Sequence, residues 1–218
     1  MPNDQLLRLC LETLSSKQQW QLIEKFCALL RTYNSKVNLV SRQDVNQLIE
    51  HQVAPSMAFF IVQRLHPAEH ILDIGSGGGF PGIINAILFP TSQFVLVDAT
   101  KKKIVFLQSV ISTLGLSNTT AIWSRVEKLA HNPDYQQRFD HTTSRAVAPL
   151  NRLWRWSQPL LKPHGTVEAL KGGDISQELD AVNAVSKCYH LPTTWQVTEQ
   201  LQQLVLVSLY DHATSLVQ

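Results

Sequence analysis

Residues 73–82 read Asp-Ile-Gly-Ser-Gly-Gly-Gly-Phe-Pro-Gly, with five glycines in the eight positions from Gly75 to Gly82. Without a Cβ, such a run lets the backbone turn tightly and come close to a ligand, and its cost in backbone entropy argues against a loop that binds nothing. Where a helix opens directly afterwards, the free N–H groups of its first turn favour an anionic or electron-rich group. Pro81 suits a first helical position, where no backbone donor is needed. Asp98 ends the next apolar run. A carboxylate there can accept hydrogen bonds from both hydroxyls of a ribose, or it can cap the helix that follows.

Two cofactors use loops of this kind. A dinucleotide fingerprint, G-x-G-x-x-G, fits Gly77, Gly79 and Gly82, although it starts some residues after the preceding apolar run, whereas that fingerprint turns directly off its strand. Gly75-x-Gly77-x-Gly79 behind Asp73 begins at the end of the run, as in the S-adenosylmethionine loop of Rossmann-like methyltransferases. Both cofactors carry a ribose for Asp98, so a nicotinamide-dependent oxidoreductase stands as the alternative to a methyltransferase.

Other chemistry is sparse. Cys10, Cys27 and Cys188 are few, odd in number and far apart, which fits reduced thiols better than disulfides or a zinc site, and no metal site is expected. The net charge of +2 is too small for a protein that coats nucleic acid without selectivity, so any RNA site must be local. Candidate cations are Lys101 to Lys103, Arg145, Arg152, Arg155, Lys162 and Lys171; the lysine triplet alone reads as a solvated run. Trp123, Trp154 and Trp156 are possible stacking groups, though aromatics in apolar stretches more often belong to the core.

The elements that must position these residues follow from periodicity. Over residues 18–33, Leu22, Ile23, Phe26, Leu29, Leu30 and Tyr33 recur with the spacing of an amphipathic helix. Residues 44–51 and 56–65 read as further helices, with Pro55 ending or kinking the first of these. The first 65 residues are therefore expected to form a helical segment. Residues 66–218 form an α/β domain with strands at 70–74, 94–98, 120–123, 139–144 and 165–170, and helices at 82–89 and 101–114. This alternation predicts a Rossmann-like, mostly parallel sheet covered on both faces. A helix over residues 175–189 is expected next. Strands at 194–198 and 204–210, with no helix between them, should pair antiparallel at the edge and bring the sheet to seven strands.

Apolar residues at 44% and charged residues at 17% of the 218 describe a soluble globular protein, and no apolar run reaches the roughly 18 residues of a membrane span. The amino terminus, Met1-Pro2-Asn3-Asp4-Gln5, lacks the order of a secretory signal, which predicts a cytoplasmic protein.

From about Trp20 to Leu209 the chain resembles the ribosomal RNA small subunit methyltransferase G (glucose-inhibited division protein B) family. The resemblance rests on the loop from Leu72 to Gly82 with its Phe-Pro-Gly ending and on Asp98 with Lys102-Lys103 and Phe106-Leu107. It continues at Ser124-Arg125-Val126-Glu127, at the run from Phe139-Asp140 to Ser144-Arg145-Ala146, and at Ala169-Leu170-Lys171-Gly172. It implies a class I methyltransferase fold and methyl transfer from S-adenosylmethionine to N7 of a guanine in 16S rRNA, within a small-subunit particle or its precursor. It also implies cofactor contacts at Asp73, Gly75, Ser76, Gly77, Gly79, Phe80, Asp98, Arg125, Val126 and Glu127. Arg145 should serve catalysis and substrate binding and Lys171 substrate binding, while His51 and residues 33–38 resemble family positions near the cofactor mouth, with helix packing as their alternative role.

Two departures stand out. His51-Gln52-Val53-Ala54-Pro55-Ser56 lacks the acid that the family commonly has shortly after the histidine. Gln202-Gln203 and Ser208-Leu209-Tyr210 stand where basic residues often flank the last strand. They keep open a non-catalytic rRNA-binding or assembly role.

Overall fold

Strand β1 (His70–Ile74) shows why both faces of the sheet are covered: Ile71 belongs to one buried cluster and its neighbour Leu72 to another. In β2 (Gln93–Asp98), Phe94 and Leu96 join the first cluster, Val95 and Val97 the second. Successive side chains of a strand point to opposite faces, so apolar residues at every position require helices on both sides. A computed structural model of the chain describes residues 11–41, 43–62, 64–191 and 199–211. Its sheet holds seven strands in the order β3-β2-β1-β4-β5-β7-β6. The remaining strands are β3 (Thr119–Trp123), β4 (Phe139–Arg145), β5 (Leu161–Gly172), β6 (Val185–His190) and β7 (Leu204–Tyr210). Strands β1 to β5 run parallel, while β7 pairs antiparallel with both β5 and β6. The expected Rossmann-like sheet is therefore the observed one.

Helix α1 (Lys17–Asn34) buries Trp20, Ile23, Phe26, Cys27 and Leu30, and Ser16 and Gln19 close a reciprocal capping box at its start. Residues 44–51 differ from the helix expected of them: turns lead into one π-helical turn, Ile49–Val53. The short helices α2 (Ala54–Ser56) and α3 (Ala58–Ile61) follow. Pro55 lies in the first turn of α2, where its missing N–H breaks no bond within that helix. Phe26 meets Phe80 with ring centroids 5.1 Å apart, and Tyr33 meets Phe106 at 5.2 Å. The amino-terminal helices thus complete the core on one face of the sheet, together with α4 (Gly82–Leu88) and α5 (Lys101–Leu114). The other face carries α6 (Val126–Leu129) and α7 (Leu150–Ser157).

The helix expected over residues 175–189 is overturned in its second half. Only α8 (Ser176–Ala181) is helical, and β6 begins at Val185. The open edge of β7 offers backbone partners from Val185 to His190, and an unpaired edge is satisfied by such pairing. The antiparallel edge pair exists, but its first member precedes the predicted one; residues 194–198 lie outside the described residues. A last short helix, α9 (Glu199–Gln202), leads into β7.

A polar network fastens the helical segment to this end of the sheet. Fully buried Glu168 on β5 pairs with Arg64 at 3.1 Å and accepts hydrogen bonds from Thr166 and Ser208. His141 adds to it by bonding Thr166 at 2.7 Å and Glu69 at 3.1 Å. Removing one partner of a buried ion pair leaves an uncompensated charge. Arg64→Met is therefore expected to destabilise the protein by about 3 kcal/mol in urea denaturation, the low end of such losses because two hydroxyls still serve Glu168. Adding Glu168→Gln should restore part of that loss; an Arg64→Met protein as stable as the parent would show that the pair does not clamp the segment.

Candidate active site at the carboxyl edge of the sheet

The glycine run turns off the end of β1 as its spacing requires. Gly75, Gly77 and Gly79 take φ of +68°, +54° and +100°, the left-handed region that favours glycine. Gly75 and Ser76 donate to the Val97 carbonyl at 2.8 and 3.1 Å, which seats the loop on β2. Packing adds a second demand: a Cβ on Gly79 would stand 2.9 Å from Ile83 and 3.0 Å from Phe26, and one on Gly82 only 2.6 Å from Asp73.

That last contact explains the end of the motif. Asp73 is fully buried beneath the loop, with Oδ1 accepting from the Thr143 hydroxyl at 2.9 Å. Oδ2 lacks a well-aligned donor, although the Gly82 N–H faces it. Burial pushes this carboxyl up to about 7, helped by nearby Asp98 and opposed by the donors around it, the Ser76 and Thr143 hydroxyls and the Gly82 N–H. Asp73 therefore supports the loop and does not line the cleft.

Asp98 ends β2 and joins the loop to the next helix. Its Oδ2 accepts from Gly77 N–H at 3.0 Å and its Oδ1 from Thr100 N–H at 2.7 Å, at the start of α5. Capping and ligand binding are thus compatible in one side chain, since each carboxylate oxygen keeps a further lone pair. A cleft of about 120 Å³ lies between Gly75, Asp98 and the segment Ser124 to Glu127, with Val147 and Trp156 as further walls. Val126 and Glu127 open α6, so their backbone N–H groups have no partner within the helix and can meet a heteroaromatic ring edge.

Some expected residues lie elsewhere. Ser76 is buried and donates to the Asp73 carbonyl at 2.9 Å, holding the turn itself. Phe80, also expected at the cofactor, is 7% exposed and packs its ring on Phe26. Trp154 is buried as expected, but Trp123 is 57% exposed, its Nε1–H donating to the Ala99 carbonyl at 2.9 Å and Lys101 lying 5.1 Å from its ring centroid. Val147 and Trp156, which line the cleft, carried no motif in the sequence.

Arg145 ends β4. Its Nη1 donates to the Gln52 side chain at 2.8 Å and its Nη2 to the His51 carbonyl at 2.6 Å. His51 lies within the π-helical turn Ile49–Val53, and its carbonyl serves the guanidinium from there. His51 is itself held by Asp44, Nδ1 to Oδ1 at 2.8 Å. Burial lowers the Arg145 guanidinium to about 10, partly offset by the charge of Asp44; it remains a cation at neutral pH. Lys171 behaves differently from a free substrate contact, for it pairs with Glu178 at 2.7 Å and donates to the Ala148 carbonyl at 3.1 Å. Glu178 in turn accepts from Leu150 N–H, so this cluster fixes the connection from β4 to α7.

The loop, the acid at the end of β2 and the backbone cleft beyond β3 together form a cradle whose donors and acceptors match those of an adenosyl group. Known proteins are similar in the same sense. The family model described as rRNA small subunit methyltransferase G matches residues 19–204. A protein of Chlorobaculum tepidum named Ribosomal RNA small subunit methyltransferase G is 42% identical over 176 residues, covering 81% of this chain and 78% of that protein. One of the same name from Chlorobium luteolum is 41% identical over 186 residues, covering 82% and 76%. Among solved structures, a SAM dependent methyltransferase from Aquifex aeolicus superposes with a TM-score of 0.56 at 12% identity, covering 78% of this chain and 98% of that one. At that identity the likeness is one of fold.

Asp73 gives a test of the site's foundation. Its pKa in the folded chain lies above its ordinary value of 3.8, so the folded state holds the proton more tightly and this group's contribution to stability falls as pH rises through about 7. Asp73→Asn should remove that part of the slope, so that its melting temperature declines less than the parent's between about pH 5 and about pH 8. Parallel curves would show that Asp73 is not held protonated by burial.

Proposed function

The chain belongs to the rRNA small subunit methyltransferase G family, and from that membership and the cradle we propose that it transfers a methyl group to N7 of a guanine in 16S rRNA. Membership decides between the two cofactors that the glycine pattern left open, in favour of S-adenosylmethionine. The observation that supports the reading most directly is the left-handed glycine turn placed against Asp98, with the Ser124 to Glu127 backbone beside them.

When bound, the cofactor supplies an electrophilic methyl on a sulfonium centre. In this proposal Gly75, Gly77 and Gly79 let the backbone approach the methionine part, Asp98 accepts from the ribose hydroxyls, and Arg125, Val126 and Glu127 hold the adenine. Guanine N7 carries an in-plane lone pair and no proton, so its bond to the methyl carbon would form without a base as the methyl–sulfur bond breaks; neutral S-adenosylhomocysteine would leave, and the positive charge would pass from the sulfonium to the guanine. Catalysis then rests on holding the base in line, with proximity and orientation worth about 7–11 kcal/mol at best. Arg145, already oriented by His51 and Gln52, grips the base edge or an adjoining phosphate. Lys171 acts indirectly, by fixing the loop that carries Val147. An unpaired guanine is the accessible form, since sequence-specific RNA recognition targets splayed bases. We place the reaction in the cytoplasm, on a small-subunit particle or its precursor. No helix among the described residues is long and apolar enough to cross a membrane.

Mass analysis of 16S rRNA from cells with and without the protein tests the reaction: loss of one 7-methylguanosine in its absence is expected, and an unchanged pattern would leave an assembly role in its place. Within the site, Asp98→Ala should weaken S-adenosylhomocysteine binding about ten- to a hundredfold, as expected for losing hydrogen bonds to a charged acceptor. Arg145→Ala should keep that affinity and lose turnover or RNA affinity. Equal loss of cofactor affinity in both variants, measured by calorimetry, would refute this division of labour.

A further inference from the structure

Beside the cleft runs a second, larger groove that the proposed methyl transfer does not use. It has a volume of about 650 Å³ and is lined by Glu127 and His131 on one side and Arg152, Arg155, Trp156 and Pro159 on the other. Glu127 and Trp156 line both cavities, so the groove and the cofactor cleft share a wall. Helix α7 explains the lining: Leu150, Leu153, Trp154 and Ser157 are buried, which leaves Arg152 and Arg155, three residues apart, on its exposed face. Neighbouring like charges at that spacing disfavour a helix. Among the described residues neither arginine pairs with a carboxylate. Their presence is therefore not explained by folding.

We propose that this groove docks a single-stranded stretch of RNA flanking the target guanine, an assignment that rests on the methyl transfer to rRNA proposed above. Phosphates are drawn to the unpaired arginines, whose planar forks suit them. Trp156 offers a flat face on which a base of any sequence can stack, and Arg152 already lies 5.8 Å from its ring centroid. His131 is oriented by its Nδ1, 2.6 Å from the Glu127 carbonyl; this bond makes Nδ1 the donor and leaves Nε2 for a ligand. Glu127 is the one acid among the lining residues. Standing on the wall shared with the cleft, it repels phosphate and keeps the strand's backbone on the α7 side. Arginine beside an aromatic face is the chemistry of a single strand more than of a duplex, whose bases are stacked away.

The full-length protein carrying Arg152→Ala and Arg155→Ala tests the assignment; both side chains are exposed, so the fold should persist. The probes are 16S rRNA purified from cells lacking the protein and an oligouridylate of on the order of ten nucleotides, each titrated over a salt series. The expected result is at least about a tenfold loss of affinity for both RNAs and a log–log salt slope smaller by roughly 1.4, two single-strand phosphates' worth. S-adenosylhomocysteine affinity should be unchanged and the loss of methylation confined to KM. The double lysine variant should keep the slope. RNA affinity and slope equal to the parent's would overturn the proposal, as would a parallel fall in S-adenosylhomocysteine affinity. The two readings fail separately. A parent that methylates 16S rRNA while the variant binds RNA normally sinks only the groove, and a parent that leaves guanine N7 unmethylated while the variant loses RNA binding sinks only the reaction.

Discussion

The carboxylate of Asp73 is the constraint around which the site is organised. It sits fully buried where the end of β1, the start of α4 and the middle of β4 converge, with one oxygen on Thr143 and the other facing the Gly82 backbone. A buried acid tolerates few arrangements, because any loss of its partners leaves an unsolvated polar group. Gly82 must lack a side chain to lie so close, the helix must begin there, and the glycines before it must turn back over the strand. The cleft proposed for the cofactor is the upper surface of this arrangement.

The amino-terminal helices are coupled to the same loop by packing. Leu30, Leu39 and Val40 pack around Gly78, and Phe26 closes on both Gly79 and Phe80. Asn34 holds the covering strand of chain by accepting from Leu39 and Val40 N–H groups and donating to the Val40 carbonyl. Further on, His51 and Gln52 take the Arg145 guanidinium. One helical segment therefore braces the cofactor loop at one place and the proposed substrate-facing arginine at another.

Much of this was legible in the sequence because it depends on local rules. Alternating apolar runs located β1, β2 and β4, the periodicity of residues 18–33 located α1, and glycine spacing marked the turn. What escaped depends on contacts distant in the chain. Phe80 follows the glycines directly, yet the reversal of the loop turns it toward Phe26, 54 positions earlier in the numbering. Residues 176–181 are good helix formers, but Val185 to His190 follow the edge that β7 leaves open, a partner no local window contains. Lys171 looked like a ligand contact at a strand end until α8 brought Glu178 to it. Val147 bears no motif, and only the crossing of the loop after β4 over Gly75 makes it a wall; Trp156, legible only as a possible stacking group, becomes one through α7.

The setting of Arg145 also bears on how quickly an anion could be engaged there, in the substrate role proposed for it. A guanidinium in open water must shed hydration and search many rotamers when a phosphate or base arrives. Here both steps are largely complete in the folded chain: burial has already lowered its pKa to about 10, and two neutral acceptors fix its plane. The dehydration is settled once, at folding, and not at every encounter. Neither acceptor carries a full negative charge, so the positive potential is left largely uncancelled and directed to the next anion that approaches.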